Sequence, residues 1–192
     1  AALAQATSRI RLGAMVNGMH HRHPAVTANM AATVDIISNG RFELGMGAGW
    51  NFMESDAYGI ELEAPGRRVT RFEESIRIIR SLLDERRTDF TGEIHTIRDA
   101  PCEPKPVQER LPILVGTGGD RMLRITTKMM ERIDITPDDV DDVLLVGGMT
   151  YMPAVRSALR DSFGRMPRTD YDPKTIVAIG AAYKDRKSTR LN

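Results

Sequence analysis

An α/β fold built on a parallel sheet is what this sequence predicts, on three observations. Short apolar runs with period-two alternation recur along residues 1–128. Glycine-rich or polar loops follow each run, and each loop leads into a segment whose apolar residues return every three or four positions. Repeated strand–loop–helix units imply parallel strands joined by right-handed crossovers. A barrel and a doubly wound sheet both satisfy that pattern.

The elements follow in order. Residues 9–16 read as a strand, with Ile10, Leu12 and Ala14 alternating against Arg9, Arg11 and Gly13. A polar loop leads to Pro24, suited to a first helical turn. Val26, Met30, Val34 and Ile37 then mark one helical face, predicted to be the buried one. Ser38-Asn39-Gly40 stops that helix, with Gly40 in the left-handed position after it. Residues 41–46 form a second strand, closed by Gly47-Ala48-Gly49. Residues 66–83 form a second helix, with Val69, Phe72, Ile76, Ile79 and Leu83 inward. Residues 90–97 are extended, a proline-rich connector follows, and residues 113–115 make a third strand. Gly116-Thr117-Gly118-Gly119 ends it, and Asp120 is suited to cap the next helix.

The texture changes after residue 128. Thr136-Pro137 starts a helix, residues 143–146 form an apolar strand, and Gly147-Gly148 breaks it. Val155, Leu159 and Phe163 share a helical face that Gly164 ends, and Asp172-Pro173 starts a last helix. Residues 185–192 are basic, polar and aperiodic, which predicts a disordered tail of the kind adapter sequence encodes.

Bulk composition narrows the function classes. The 192 residues suit one large domain or two small ones. A net charge of +1 sets up no field for nucleic acid, and 5% aromatic residues are too few for base-stacking platforms. No apolar run reaches membrane-spanning length, so no membrane partner is expected. The single Cys102 forms no internal disulfide and reads as an ordinary intracellular thiol, which predicts a cytoplasmic protein. His20, His21 and His23 have neither the spacing nor the companions of a metal site, so no metal is expected.

The ordered motifs of the first two-thirds carry a resemblance. They include Arg22-His23-Pro24-Ala25, Ser38-Asn39-Gly40-Arg41-Phe42-Glu43-Leu44-Gly45, Gly47-Ala48-Gly49-Trp50-Asn51 and Pro104-Lys105-Pro106-Val107-Gln108. Together they resemble the luciferase-like monooxygenase family, especially its F420-dependent class. The resemblance implies a partial (β/α)₈ TIM-barrel fragment over residues 1–128, binding FMN or F420 at the carboxyl ends of its strands. It implies a flavin- or F420-dependent oxidoreductase or monooxygenase with a small-molecule substrate. It also implies a cis peptide at Met15–Val16 beneath the ring, with Asn17, Gly47, Gly49 and Asn51 around it. Gly116, Gly118 and Gly119 would hold a phosphate, since bare backbone before a helix start suits an anion. Met19 and His21 depart from residues common in relatives. No catalytic residue is assigned.

A second set of motifs lies in residues 129–184. Ile135-Thr136-Pro137-Asp138-Asp139-Val140, Leu144-Leu145-Val146-Gly147-Gly148-Met149-Thr150 and Val177-Ala178-Ile179-Gly180-Ala181-Ala182 resemble the nucleotide-binding domain of Hsp70 chaperones. That implies a partial actin-like ATPase α/β fragment, with Gly147 and Gly148 at the ATP phosphates. Tyr151 and Lys174 depart from that family's pattern, and its other phosphate loops have no counterpart here. Two further expectations follow. The chain is a fusion of two fragments without activity, since a complete barrel needs roughly 250 residues. Unpaired sheet edges favour self-association.

Overall fold

The computed structural model describes residues 1–116 and, beyond them, residues 156, 157, 159–161 and 164. The chain divides into two compact units, Ala1–Gly116 and Thr117–Asn192.

In the first unit the order is α1 (Ala2–Ala6), β1 (Leu12–Gly13), β2 (Asn17–Gly18), a 3₁₀ turn (Met19–His21) and α2 (Pro24–Ser38). Then come β3 (Phe42–Gly47), α3 (Phe52–Ala57), α4 (Pro65–Asp84), β4 (Thr88–Thr91), β5 (Thr96–Ala100) and β6 (Ile113–Gly116). β3 is central, with β1 and β2 on one side and β6 on the other, all parallel. β4 and β5 form a separate antiparallel hairpin, so the extended residues 90–97 fold back on themselves. The parallel α/β architecture agrees with the sequence. Among the described residues no helix is long and apolar enough to cross a membrane.

The strand expected over residues 9–16 is interrupted. β1 pairs Gly13 with Glu43, and β2 pairs Asn17 with Met46. Four residues on one strand therefore match three on the other, and one extra residue is absorbed between them. The Met15–Val16 peptide within this bulge is cis, as the resemblance implied. Ile10 and Ala14 are exposed and are not core residues.

The helix after Pro24 forms as expected, but it buries the opposite face. Thr27, Ala28, Ala31, Ala32, Asp35 and Ser38 are buried, while Val26, Met30 and Ile37 are exposed and Val34 is half-buried. The small side chains let α2 lie close against β3 and α4, and bulky side chains on that face would hold the helix away. His23 begins this helix, its Nδ1 accepting from the Ala25 N–H at 3.2 Å. Asn39 (φ 54°) and Gly40 (φ 75°) both turn left-handed to end it, one residue earlier than glycine alone suggested.

α4 matches expectation, with Phe72, Ile76, Ile79 and Leu83 buried and Val69 half-buried. It also buries Glu74, whose carboxylate accepts from the backbone N–H groups of Glu93, Ile94 and His95. Those bonds fix the tip of the β4–β5 hairpin. Cys102 is buried, and that burial pushes its thiol pKa up, which suits an unreactive thiol.

In the second unit, residues 156, 157 and 159–161 are helical and Leu159 is buried. Gly164 (φ 63°) donates its N–H to the Arg160 carbonyl at 2.9 Å, the helix stop expected there. The strand and glycines at residues 143–148, the Thr136-Pro137 and Asp172-Pro173 starts and the tail at 185–192 lie outside the described residues.

Candidate functional site

The carboxyl ends of the three parallel strands β2, β3 and β6 finish at one level. Gly18 pairs with Gly47, and Gly47 pairs with Gly116. Three residues without side chains therefore stand side by side across the sheet edge. One level below, Asn17, Met46 and Val115 are in register, and Asn17 Nδ2 donates to the Gly45 carbonyl at 3.1 Å.

Val16 explains why two of those glycines must be bare. A Cβ on Gly47 would stand 2.7 Å from Val16 Cγ2, and one on Gly116 would stand 2.6 Å from it. A Cβ on Gly45 would overlap the Ala14 carbonyl oxygen. The glycines thus make room for the bulged strand and its isopropyl group. The result is a shelf of backbone around one apolar side chain, with Met15 exposed beside it. A flat ring could cover such a shelf without displacing a polar side chain, so the edge fits the planar cofactor that the sequence implied.

The loop after β3 forms one wall. Gly49 adopts φ 83°, a left-handed conformation that favours glycine. Trp50 is 81% exposed. Asn51 caps α3, its Oδ1 accepting from the Glu54 N–H at 3.3 Å. Glu54 is exposed. Arg68 of α4 donates from Nη1 to the Gly49 carbonyl at 2.8 Å and lies over the Phe52 ring. His20 packs against the same glycine and places Nε2 3.4 Å from Ser55 Oγ.

Beside this wall is a cavity of about 200 Å³ lined by His20, Ile60, Glu61, Glu63 and Arg71. Glu63 accepts from Arg71 at 2.7 and 2.8 Å and from Arg67 at 2.8 Å. Those hydrogen bonds, Arg71's first, hold its carboxyl pKa down to about 2. Burial, then the neighbouring His21 and Arg68, lower the His20 pKa below its ordinary 6.5. Burial, then Arg71 and His23, do the same for His95.

The structure therefore gathers Met15, Val16, Asn17, Gly47, Gly49, Asn51 and Gly116 at one edge. Gly118, Gly119, Gly147 and Gly148 lie outside the described residues. Asn51 serves a helix cap, and Val16 occupies space that the glycines were expected to leave for a ligand. Sequence reasoning missed His20 and Arg68 as supports of Gly49. The Gly49–Trp50 turn was a visible signal that something must hold that loop, but α4 gave no sign that Arg68 would reach it.

Comparison with known proteins adds independent findings. The family profile described as luciferase-like monooxygenase matches residues 1–141. An uncharacterized protein of Mycobacterium tuberculosis is 34% identical over 141 residues, 73% of this chain and 49% of that protein. An F420-dependent glucose-6-phosphate dehydrogenase of Microbacterium testaceum is 28% identical over 191 residues, 99% of this chain and 54% of its own length. A mitochondrial iron–sulfur cluster biogenesis chaperone of Saccharomyces cerevisiae is 28% identical over 127 residues, 62% of this chain and 19% of its own. Among solved structures, a monooxygenase from Streptomyces bottropensis matches with TM-score 0.65 and 25% identity, over 85% of this chain and 47% of that one. The chain spans about half the length of the first curated relatives it matches.

Proposed function

Because the chain belongs to the luciferase-like monooxygenase family, we propose that its carboxyl sheet edge binds the ring of a flavin or of F420 in an oxidoreductase acting on a small molecule. The observation that carries this reading is the in-register row Gly18, Gly47 and Gly116 around Val16. It lies where parallel α/β folds place their chemistry, at the carboxyl ends of the strands. The F420-dependent relative, matched over 99% of this chain, supports the cofactor class.

In this reading Met15, Val16 and Asn17 support one face of the ring. Gly47 and Gly49 let the backbone approach its edge, and Asn51 holds the end of the wall. Gly116, with Gly118 and Gly119, would receive the cofactor phosphate. When bound, the cofactor supplies the hydride or oxygen chemistry. The role of these residues is to bind, orient and exclude water. A fluorescence titration of the full chain with FMN and with F420 tests the reading. Saturable micromolar binding of one of them is expected, and no binding of either would overturn it.

A second reading applies to residues 129–184. Their resemblance to an Hsp70 nucleotide-binding domain stands beside the match to a mitochondrial chaperone. The Microbacterium enzyme, however, aligns across this segment too. Under the second reading Gly147 and Gly148 would contact ATP phosphates. Saturable binding of ATP by the full chain is then expected, and its absence would discard this reading without touching the first.

A further inference from the structure

We propose that His20 is a positioning residue for the loop of residues 47–51, holding Gly49 in its left-handed turn with a neutral imidazole and releasing the loop when it takes up a proton. The inference rests on the reading above in one respect only, that this loop walls the cofactor edge.

The geometry comes first. A Cβ on Gly49 would stand 2.6 Å from both Cε1 and Nδ1 of His20, so the imidazole lies directly on the Gly49 backbone. The far side of the same ring reaches Ser55 Oγ at 3.4 Å, on the helix that the loop enters. His20 thus spans the loop from its turn to its exit. Arg68 takes the same peptide from the other direction through the Gly49 carbonyl at 2.8 Å.

Two buried side-chain nitrogens lack a partner among the described residues, and both belong to this pair: His20 Nδ1 and Arg68 Nε. A neutral imidazole tolerates a bare Nδ1. A protonated one adds a second buried N–H and a positive charge, which the Arg68 guanidinium repels. Every charged neighbour bears on the outcome. His21 stacks at 4.0 Å on the same turn, Glu54 lies on α3, and Arg68 on α4. Glu61, Glu63 and Arg71 line the adjoining cavity with His20. Glu63 is already engaged by Arg67 and Arg71. The cavity of about 200 Å³ gives a protonated ring somewhere to turn, toward Glu61 and away from Gly49. Burial already lowers the His20 pKa, so release falls below the ordinary histidine range.

The chain supplies its own reporter, because its one tryptophan, Trp50, adjoins Gly49. Trp50 emission of the full chain, followed from about pH 7.5 down to about pH 5, should change with a midpoint below 6.5. His20→Gln should abolish that transition, and His95→Gln should retain it. If His20→Gln loses its far-ultraviolet circular dichroism, His20→Phe carries the test, since it keeps a ring against Gly49 and has no proton to gain. Cofactor affinity should fall about tenfold for each unit that pH drops below the midpoint in the wild type, and stay level in the variant. An unchanged transition in both His20 variants, or no transition in the wild type, overturns the proposal. A transition lost in the variants while the wild type binds neither FMN nor F420 upholds the positioning role and rejects the cofactor reading.

Discussion

The two ends of the parallel sheet are built on opposite principles. At the amino end the charged groups of Asp35 and Arg41 are held by several hydrogen bonds each. Asp35 is fully buried and accepts from the Val107 and Gln108 N–H groups at 2.9 and 3.0 Å and from Gln108 Nε2 at 2.7 Å. Arg41 donates to the carbonyls of Ala4, Thr7, Ile10 and Ser38 and to Thr7 Oγ1, tying the first ten residues to β3. At the carboxyl end, glycines replace side chains, and His20 Nδ1 and Arg68 Nε are buried without partners. One end is arranged for stability. The other leaves backbone bare and polar atoms unpaired, a combination expected where a ligand is to be received.

Mutations at the two ends should separate these roles. The largest effect is expected for Asp35→Ala, which removes the buried acceptor of the Val107 and Gln108 N–H groups and of one Gln108 amide bond; about 3–5 kcal/mol of stability should be lost, read from urea unfolding. Gly116→Ala should cost about 1–3 kcal/mol, because its methyl meets Val16. Adding Val16→Ala should recover part of that loss, and a purely additive double mutant would refute the wedge. Asn17→Ala should cost about 1 kcal/mol of stability while weakening cofactor binding. If Asn17→Ala destabilised the chain more than Asp35→Ala, the contrast between the ends would collapse. The smallest effect concerns acid. The folded Glu63 carboxyl is held at about 2 against an ordinary 4.5, so its contribution is complete above 4.5 and fades as pH falls toward about 2. Glu63→Gln should flatten stability across that window, its cost being full at neutral pH and disappearing as pH falls toward about 2.

Much of this was legible in the sequence, for identifiable reasons. Strand–helix alternation gave the parallel sheet, and Pro24 stands at the start of α2 as expected. The loops after the strands pointed to the edge where Gly47 and Gly116 stand in register. What failed was orientation. Val26, Met30 and Ile37 have the spacing of a buried stripe, yet Ala28, Ala31 and Ala32 take the core because close approach to α4 and β3 requires small side chains. Hydrophobic periodicity rewards size and is blind to that requirement. The bulge in the first strand was equally hidden, since one extra residue leaves no mark on composition. His20 and Arg68 meet across 48 positions at Gly49, and local pattern contains no term for such a meeting.

The glycine at position 45 has a consequence for how the sheet chooses its alignment. Only a residue without a Cβ can stand opposite the Ala14 carbonyl. If β3 slid by one position in either direction, Leu44 or Met46 would arrive there, and both are excluded on contact. The pairing is therefore spelled out by an absence of atoms, and a strand misaligned by one residue is rejected on contact.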